Sequence, residues 1–336
     1  MNQTVSLNWG ILGGARINER LLPALLAHDQ SNLVAIASRR PGAAAETLAR
    51  LAPGVSGITV YEGLELLIED PAVQAVYIPL ANQEHAAWVL KAIEAGKHVL
   101  CEKPLALNPS DIDAIETAAD RQSVKVMEGF MYRFHPQHQR VRALLESGLI
   151  GEIQSVSTHF SFMMRPARMY RLQEPAERGG GALWDIGCYA IHAARAWIQS
   201  RPTKVSAMAR FLDNRADTGM SGVIEFEDGR HARFDFSFES TRRSEYEITG
   251  TLGVLRCPTV WQLPGDTPEI HWETEDGRRG FERLKPHNHF ELEVEGFTRA
   301  VLENTPPLLS LEDAKLNCLT IRAALKSAES GHVVLI

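Results

Sequence analysis

The sequence predicts an α/β chain of two domains, a doubly wound parallel sheet followed by a domain of antiparallel strands. Three observations carry this. The first 130 residues alternate short apolar, β-branched runs with helix-like segments, which is the pattern of right-handed βαβ crossovers. From about Ile153 the pattern changes to longer alternating runs. At 336 residues and 44% hydrophobic, the chain exceeds the usual single domain and can bury two cores. The division expected is 1–130 and 131–336, hinged near residues 130 to 150. The last long helical pattern, about 311–329, is a candidate to return to the first domain.

Parallel strands are expected at Leu7 to Leu12, Leu33 to Ser38, Thr59 to Tyr61, Ala75 to Pro79, His98 to Cys101 and Lys125 to Met127, with helices between them. In the second half, Ser221-Gly-Val-Ile-Glu-Phe-Glu and Ala232-Arg-Phe-Asp-Phe-Ser-Phe alternate with period two. Glu227-Asp-Gly-Arg joins them as a hairpin turn. Gly179-Gly-Gly181 precedes an apolar run, Ala182 to Ile198, that reads as a helix. Further helical patterns cover His289 to Leu302 and Leu311 to Glu329.

Composition narrows the function. The net charge of −7 and the absence of any Lys/Arg run argue against nucleic acid or an anionic membrane as partner and favour a small molecule. Cys101, Cys188, Cys257 and Cys318 are scattered without a C-x-x-C pair, which fits reduced thiols in a cytoplasm. No metal-ligand spacing stands out. No apolar stretch has the length of a membrane span, and the N-terminal residues lack the basic-then-apolar pattern of an export signal.

Chemistry concentrates where strands end. In Ala95-Gly-Lys-His-Val-Leu-Cys-Glu-Lys-Pro104, Gly96 ends a helix and the apolar strand that follows delivers Glu102 and Lys103 to its carboxyl edge. Pro104 stops the strand there. The first strand runs into Trp9-Gly-Ile-Leu-Gly-Gly-Ala-Arg-Ile-Asn18. Gly13 makes a tight turn, Gly14 and Ala15 are small enough for a pyrophosphate to approach, and Arg16 and Ile17 lead into a helix N-terminus. Alanine at 15 and asparagine at 18 depart from the strict dinucleotide fingerprint.

The second strand ends in Ser38-Arg39-Arg40, where an acid would bind the adenosine ribose of NAD. A hydroxyl and two guanidiniums suit a 2′-phosphate, so NADP is the expected cofactor; the other reading is a pair of solvated arginines opening a helix. The fourth strand sets Leu80 and Asn82 beside Lys103. His85 either hydrogen-bonds that loop or simply starts the next helix. Asp185 and Tyr189, four apart, would share a helical face with His192 nearby; if buried they need partners, and ordinary packing competes with a functional reading.

Together, the glycine turn at 10–15, Pro79-Leu-Ala-Asn82, the Glu102-Lys103-Pro104 strand end and Gly-Gly-Gly-Ala-Leu-x-Asp-x-Gly at 179–187 resemble the Gfo/Idh/MocA oxidoreductases over essentially the whole chain. Many members of that family carry histidine four residues after the helical aspartate. Tyr189 stands there instead, which resembles the branch of dimeric dihydrodiol dehydrogenases, NADP-dependent D-xylose 1-dehydrogenases and glucose-fructose oxidoreductase.

The resemblance implies an N-terminal Rossmann domain and a C-terminal α/β domain with a large, mostly antiparallel open sheet. It also implies an NAD(P)-dependent dehydrogenase acting on a sugar, polyol or trans-dihydrodiol, with NADP preferred. Tyr189 would be the acid/base, and Lys103 would lower its pKa and hold the substrate hydroxyl. Asp185 would orient sugar or lysine, and Glu102 would face the cofactor's ribose or fix the turn. Arg171 resembles a position near the cofactor in relatives, while Arg133, Arg165, Arg168, Tyr170, Trp184, Asn288 and His289 come from segments expected round the substrate. Two alternatives stand beside this reading: a sugar oxidoreductase with permanently bound NADP, and a non-catalytic NADPH-sensing regulator. An alternation of Phe234, Phe236 and Phe238 on a sheet facing solvent would need covering, which predicts a homodimer or homotetramer through the C-terminal sheet.

Overall fold

The computed structural model describes residues 5–261 and 267–336. It divides into two compact units, Met1–Phe134 with His287–Lys315, and His135–Pro286 with Leu316–Ile336.

The first unit carries β1 (Leu7–Leu12), α1 (Asn18–Ala27), β2 (Ser31–Ser38), α2 (Ala43–Leu51), β3 (Thr59–Glu62), α3 (Leu64–Glu69), β4 (Ala75–Ile78), α4 (His85–Glu94), β5 (His98–Glu102), α5 (Pro109–Gln122) and β6 (Val126–Gly129). The strands form one parallel sheet in the order β3-β2-β1-β4-β5-β6. Helices cover both faces, so the central strands are near-continuous apolar runs, such as Ala35-Ile36-Ala37 and Ala75-Val76-Tyr77-Ile78, all buried. The order reverses between β1 and β4, and a doubly wound sheet of this kind binds its ligand at the strand ends beside that point.

In the second unit lie α6 (Pro136–Glu146), β7 (Ile153–Ser161), α7 (Cys188–Ile198), β8 (Pro202–Phe211), β9 (Asp217–Phe226), β10 (His231–Ser237), β11 (Arg243–Gly250), β12 (Gly253–Cys257), β13 (Glu269–Thr274) and β14 (Arg279–Arg283). After them come α8 (His289–Leu302), α9 (Leu311–Ser330) and β15 (Val334–Leu335). Among the described residues the sheet has nine strands, β14-β13-β12-β11-β7-β10-β9-β8-β15, antiparallel except for β7 beside β10. The expected hairpin is β9–β10, with Gly222 opposite Phe234.

The segment that returns to the first unit is His287–Lys315, ahead of most of the 311–329 helix. The reason is α8, whose buried stripe includes Phe290, Val294 and Phe297. The Phe297 ring lies 5.4 Å from that of Trp9 on β1, and Thr298 hydrogen-bonds Ser31 at 2.9 Å.

The premise behind the covered sheet is corrected. Phe234, Phe236 and Phe238 are all buried within the chain, because the helical segment ending in α7 lies over their face. A Cβ at Gly187 would lie 2.5 Å from the Phe236 ring, so glycine there lets the segment settle onto it. Paired charges occupy other positions of the sheet, among them Arg243 with Glu245 at 2.5 Å and Arg283 with Glu269 at 2.9 Å.

Candidate active site

The first unit's strand ends are knitted by side chains bonding to main chain. Gly13 has φ +121°, a conformation L side chains rarely adopt, and its amide donates to Ala37 O at 2.8 Å. A Cβ on it would come within 3.1 Å of Leu80. Asn18, where the dinucleotide fingerprint has a small residue, is fully buried and donates to Gly13 O at 2.8 Å, so the departure ties the turn to α1. Ala15, Arg16 and Ile17 lead into that helix, and the N-terminus of α1 stands at the carboxyl edge, where its dipole favours an anion.

At the end of β2, Ser38 is spent on the fold. Its hydroxyl donates to Arg40 O at 2.7 Å and accepts from the Ala44 amide at 3.1 Å. Arg39 pairs with Glu84 at 2.5 Å and Arg40 with Glu46 at 2.7 Å. Both guanidiniums are mostly exposed, and such pairs are weak enough to be exchanged for a phosphate.

Beside β5, His85 resolves in favour of the loop: Nδ1 lies 2.6 Å from Pro104 O and Nε2 3.0 Å from Leu80 O. This ties the Glu-Lys-Pro turn to the residues after β4, and Asn82 begins the short 3-10 turn between them. Glu128 adds a second tie, accepting from the Leu105 amide at 2.8 Å. Lys103 is buried at that turn. Glu102 accepts from the Tyr77 hydroxyl at 2.7 Å, and burial with the neighbouring carboxylate pushes the Tyr77 pKa up.

Two acids here escaped sequence reasoning. Glu293 on α8 is fully buried, and neither carboxyl oxygen has a hydrogen-bond partner among the described residues. Burial and the nearby Glu102 charge raise its pKa well above the ordinary carboxylate value. The signal was available: Glu293 sits four residues before Phe297 on the buried stripe of its helix. The other is Glu62 on β3, beside Ser38 in register, which accepts from the Gly42 amide at 3.0 Å. Of the residues expected at substrate, Arg133 follows β6, and His289 opens α8 with Asn288 as its cap, accepting from the Phe290 amide at 3.1 Å.

In the second unit, the expected single α-helix from 182 to 198 instead opens with a π-helical turn, Leu183–Gly187, before α7. Such turns concentrate at functional sites. Asp185 sits in it, nine-tenths buried, with Arg171 at 3.3 Å, so Arg171 is placed against the helical aspartate. Tyr189 is buried against Phe160 and Trp261, with ring centroids 5.8 and 6.3 Å away. His192 is fully buried on the same helix.

Trp184 is fully buried, and its indole N–H donates to Ala176 O at 2.6 Å. Arg168 stacks over Phe162 at 5.4 Å, while Arg165 and Tyr170 are exposed. The first unit thus holds a buried lysine on a tied turn, and the second holds a carboxylate, a guanidinium and a phenol on or against one helical segment.

Family models match both halves: an oxidoreductase family with an NAD-binding Rossmann fold over residues 7–130, and a GFO/IDH/MocA C-terminal domain over 138–256. A relative from Haloferax volcanii, D-xylose 1-dehydrogenase (NADP(+)) 2, is 36% identical over 97% of this chain and 98% of its own. The chain belongs to the Gfo/Idh/MocA oxidoreductase family. Like other Gfo/Idh/MocA members it is an oxidoreductase of the NAD(P)-dependent dehydrogenase type, with the two-domain fold the sequence implied. A second relative, dTDP-3,4-didehydro-2,6-dideoxy-alpha-D-glucose 3-reductase from Actinomadura kijaniata, is 35% identical over 91% of this chain and 90% of its own. A crystal structure of a 3-ketoreductase from the same organism, in complex with NADP and TDP-benzene, superposes with a TM-score of 0.86 at 32% identity. It covers 97% of this chain and 98% of the other. The resemblance to the dihydrodiol branch also holds, since a trans-1,2-dihydrobenzene-1,2-diol dehydrogenase of Xenopus tropicalis is 29% identical over 76% of this chain and 77% of its own. Among the described residues no helix is long and apolar enough to cross a membrane.

Proposed function

We propose that this oxidoreductase uses NADP to interconvert a carbinol and a carbonyl on a sugar, polyol or trans-dihydrodiol, with Tyr189 as acid/base aided by Lys103. The observation that carries the reading is the matched set itself. Lys103 is buried on a turn held by His85 and Glu128, while Asp185 and Tyr189 are buried on one helical segment with Arg171 against the aspartate.

The residues present fit the cofactor. The Gly13 turn leaves no room for a side chain beside Leu80, α1 offers its N-terminus, and β2 ends in a hydroxyl and two exposed guanidiniums. Gly13, Gly14, Ala15, Arg16 and Ile17 would hold the pyrophosphate, and Arg39 and Arg40 the 2′-phosphate, with Ser38 shaping their turn. Leu80, Asn82 and Glu102 would line the nicotinamide ribose. When bound, the nicotinamide gives or takes the hydride.

The chain's own residues must then move one proton at the substrate oxygen. A phenol with an ordinary pKa of about 10 is too weak a base at neutral pH unless a cation stabilises its anion, and the Lys103 ammonium is proposed for that role. Arg171 holds the Asp185 carboxylate, which fixes it for a substrate hydroxyl.

Absorbance at 340 nm tests this with NADP and NAD offered separately beside D-xylose, D-glucose and a trans-dihydrodiol. Turnover with NADP should fall by a factor of about 10² to 10⁴ in Tyr189→Phe. Silence across the panel with NADPH still bound would favour the sensor. Reduction of a keto sugar carried on a nucleotide is the second reading, favoured by the dTDP-sugar 3-reductase relatives, and a dTDP-linked keto sugar belongs in the same panel. A homodimer or homotetramer through the second unit's sheet, in a cytoplasm where all four buried cysteines stay unpaired, completes the proposal. Sedimentation as a monomer at micromolar concentration would overturn the assembly.

A further inference from the structure

Asp217, the first residue of β9, is fully buried, 34 residues from the helical segment it touches. Its Oδ2 accepts from the Leu183 amide at 2.9 Å, at the start of the π-helical turn that carries Asp185 and leads into Tyr189. The first amides of a helix have no partner within it, and here no side chain from the segment's own N-cap position supplies one. Asp217 does so from another strand.

The chain is shaped to receive it. A Cβ at Gly181 would fall 2.1 Å from Asp217 Oδ1, and φ there is +88°; at Gly180 it would fall 1.8 Å from Glu174 O. Gly180 thus closes against the Glu174 carbonyl, and Gly181 leaves the space that Asp217 occupies. Burial pushes the Asp217 pKa up to about 7, while the amides of Leu183 and Ala182 pull it down, in keeping with a carboxyl aimed at a helix start.

We propose that Asp217 is the positioning residue for the acid/base helix, capping from β9 the segment that carries Asp185 and Tyr189. The inference rests on the proposed role of Tyr189 only for its effect on turnover. The capping itself can be read without any reaction.

The experiment compares full-length wild type with Asp217→Leu, which removes both acceptor oxygens at similar volume, and Asp217→Asn, which keeps one oxygen for the Leu183 amide. Amide hydrogen exchange over residues 182–189 should accelerate at least tenfold in Asp217→Leu and stay within about threefold of wild type in Asp217→Asn. For turnover, kcat should fall at least tenfold in Asp217→Leu with the KM for NADP unchanged, and Asp217→Asn should recover most of it. Gly181→Ala, which drives a methyl group into Oδ1, reaches the same phenotype from the other side and serves if Asp217→Leu does not fold. Unchanged exchange over 182–189 in both Asp217→Leu and Gly181→Ala would overturn the capping. Faster exchange with unchanged kcat would overturn the positioning role. An inactive wild type would fail the functional reading alone, with exchange still deciding the cap.

Discussion

Asp217 and Glu293 are both fully buried carboxyls without an ion-pair partner among the described residues, one in each unit, yet the protein surrounds them in opposite ways. Asp217 meets the amides that open a helix; Glu293 meets no hydrogen-bonding group and has a second carboxylate, Glu102, nearby. Both pKa values are raised, but for Asp217 the amides offset part of the desolvation, whereas for Glu293 both causes act in the same direction. Main-chain dipoles can replace part of the water that a buried acid loses; where none do, burial and a neighbouring like charge both favour the protonated form.

The sign of the pH effect is the same for both. A folded-state pKa above the unfolded value adds stability below the unfolded value, and that stability is lost as pH rises through the folded pKa. The largest effect expected is in Glu293→Gln, which keeps volume and removes the charge: its melting temperature should rise relative to wild type as pH increases above the ordinary carboxylate range. A gap that does not change with pH would break the comparison. For Asp217→Asn, the gap should move in the variant's favour between about pH 4 and the raised value near 7, by an order of a few kcal/mol, and then stay flat. Thermal melts across that range decide it.

Smaller effects sharpen the contrast between the units. Gly187→Ala puts a methyl group 2.5 Å from the Phe236 ring and should cost about 1–3 kcal/mol in urea unfolding. Cofactor binding would stay intact, because the Gly13 turn belongs to the other unit. Replacing Arg39 and Arg40 together by alanine should weaken NADPH about tenfold or more, read by fluorescence titration, and leave NADH nearly unchanged. The smallest effect is at the Arg140–Glu282 pair, 2.6 Å apart but partly exposed; Arg140→Ala should cost under about 1 kcal/mol.

What the sequence disclosed followed its local content. The alternation of βα patterns placed all six strands of the parallel sheet; the central strands announce their burial in their own residues, whereas the edge strand β3, with no buried residue, was placed by its position in that alternation. The placement of Lys103 just after a strand and of Asp185 and Tyr189 on one helical segment was legible, because a strand end and a glycine-rich helix start are local signals. Asp217 was not, since its partner amide lies 34 residues away and nothing near it in the chain announces the contact. The environment of Trp184 was not legible either, since only the fold brings Ala176 O to its indole N–H. The alternation of Phe234, Phe236 and Phe238 placed them on one face but could not say that a helical segment of the same chain covers it.

The central claim is that Lys103 and Tyr189 act as one proton-transfer device, and a double-mutant cycle on kcat tests it most directly. Lys103→Met and Tyr189→Phe should each reduce kcat by orders of magnitude, and the double variant should be scarcely slower than the worse single one, as for residues that work as a unit. Losses that multiply in the double variant would mean the two act independently, and would contradict the account.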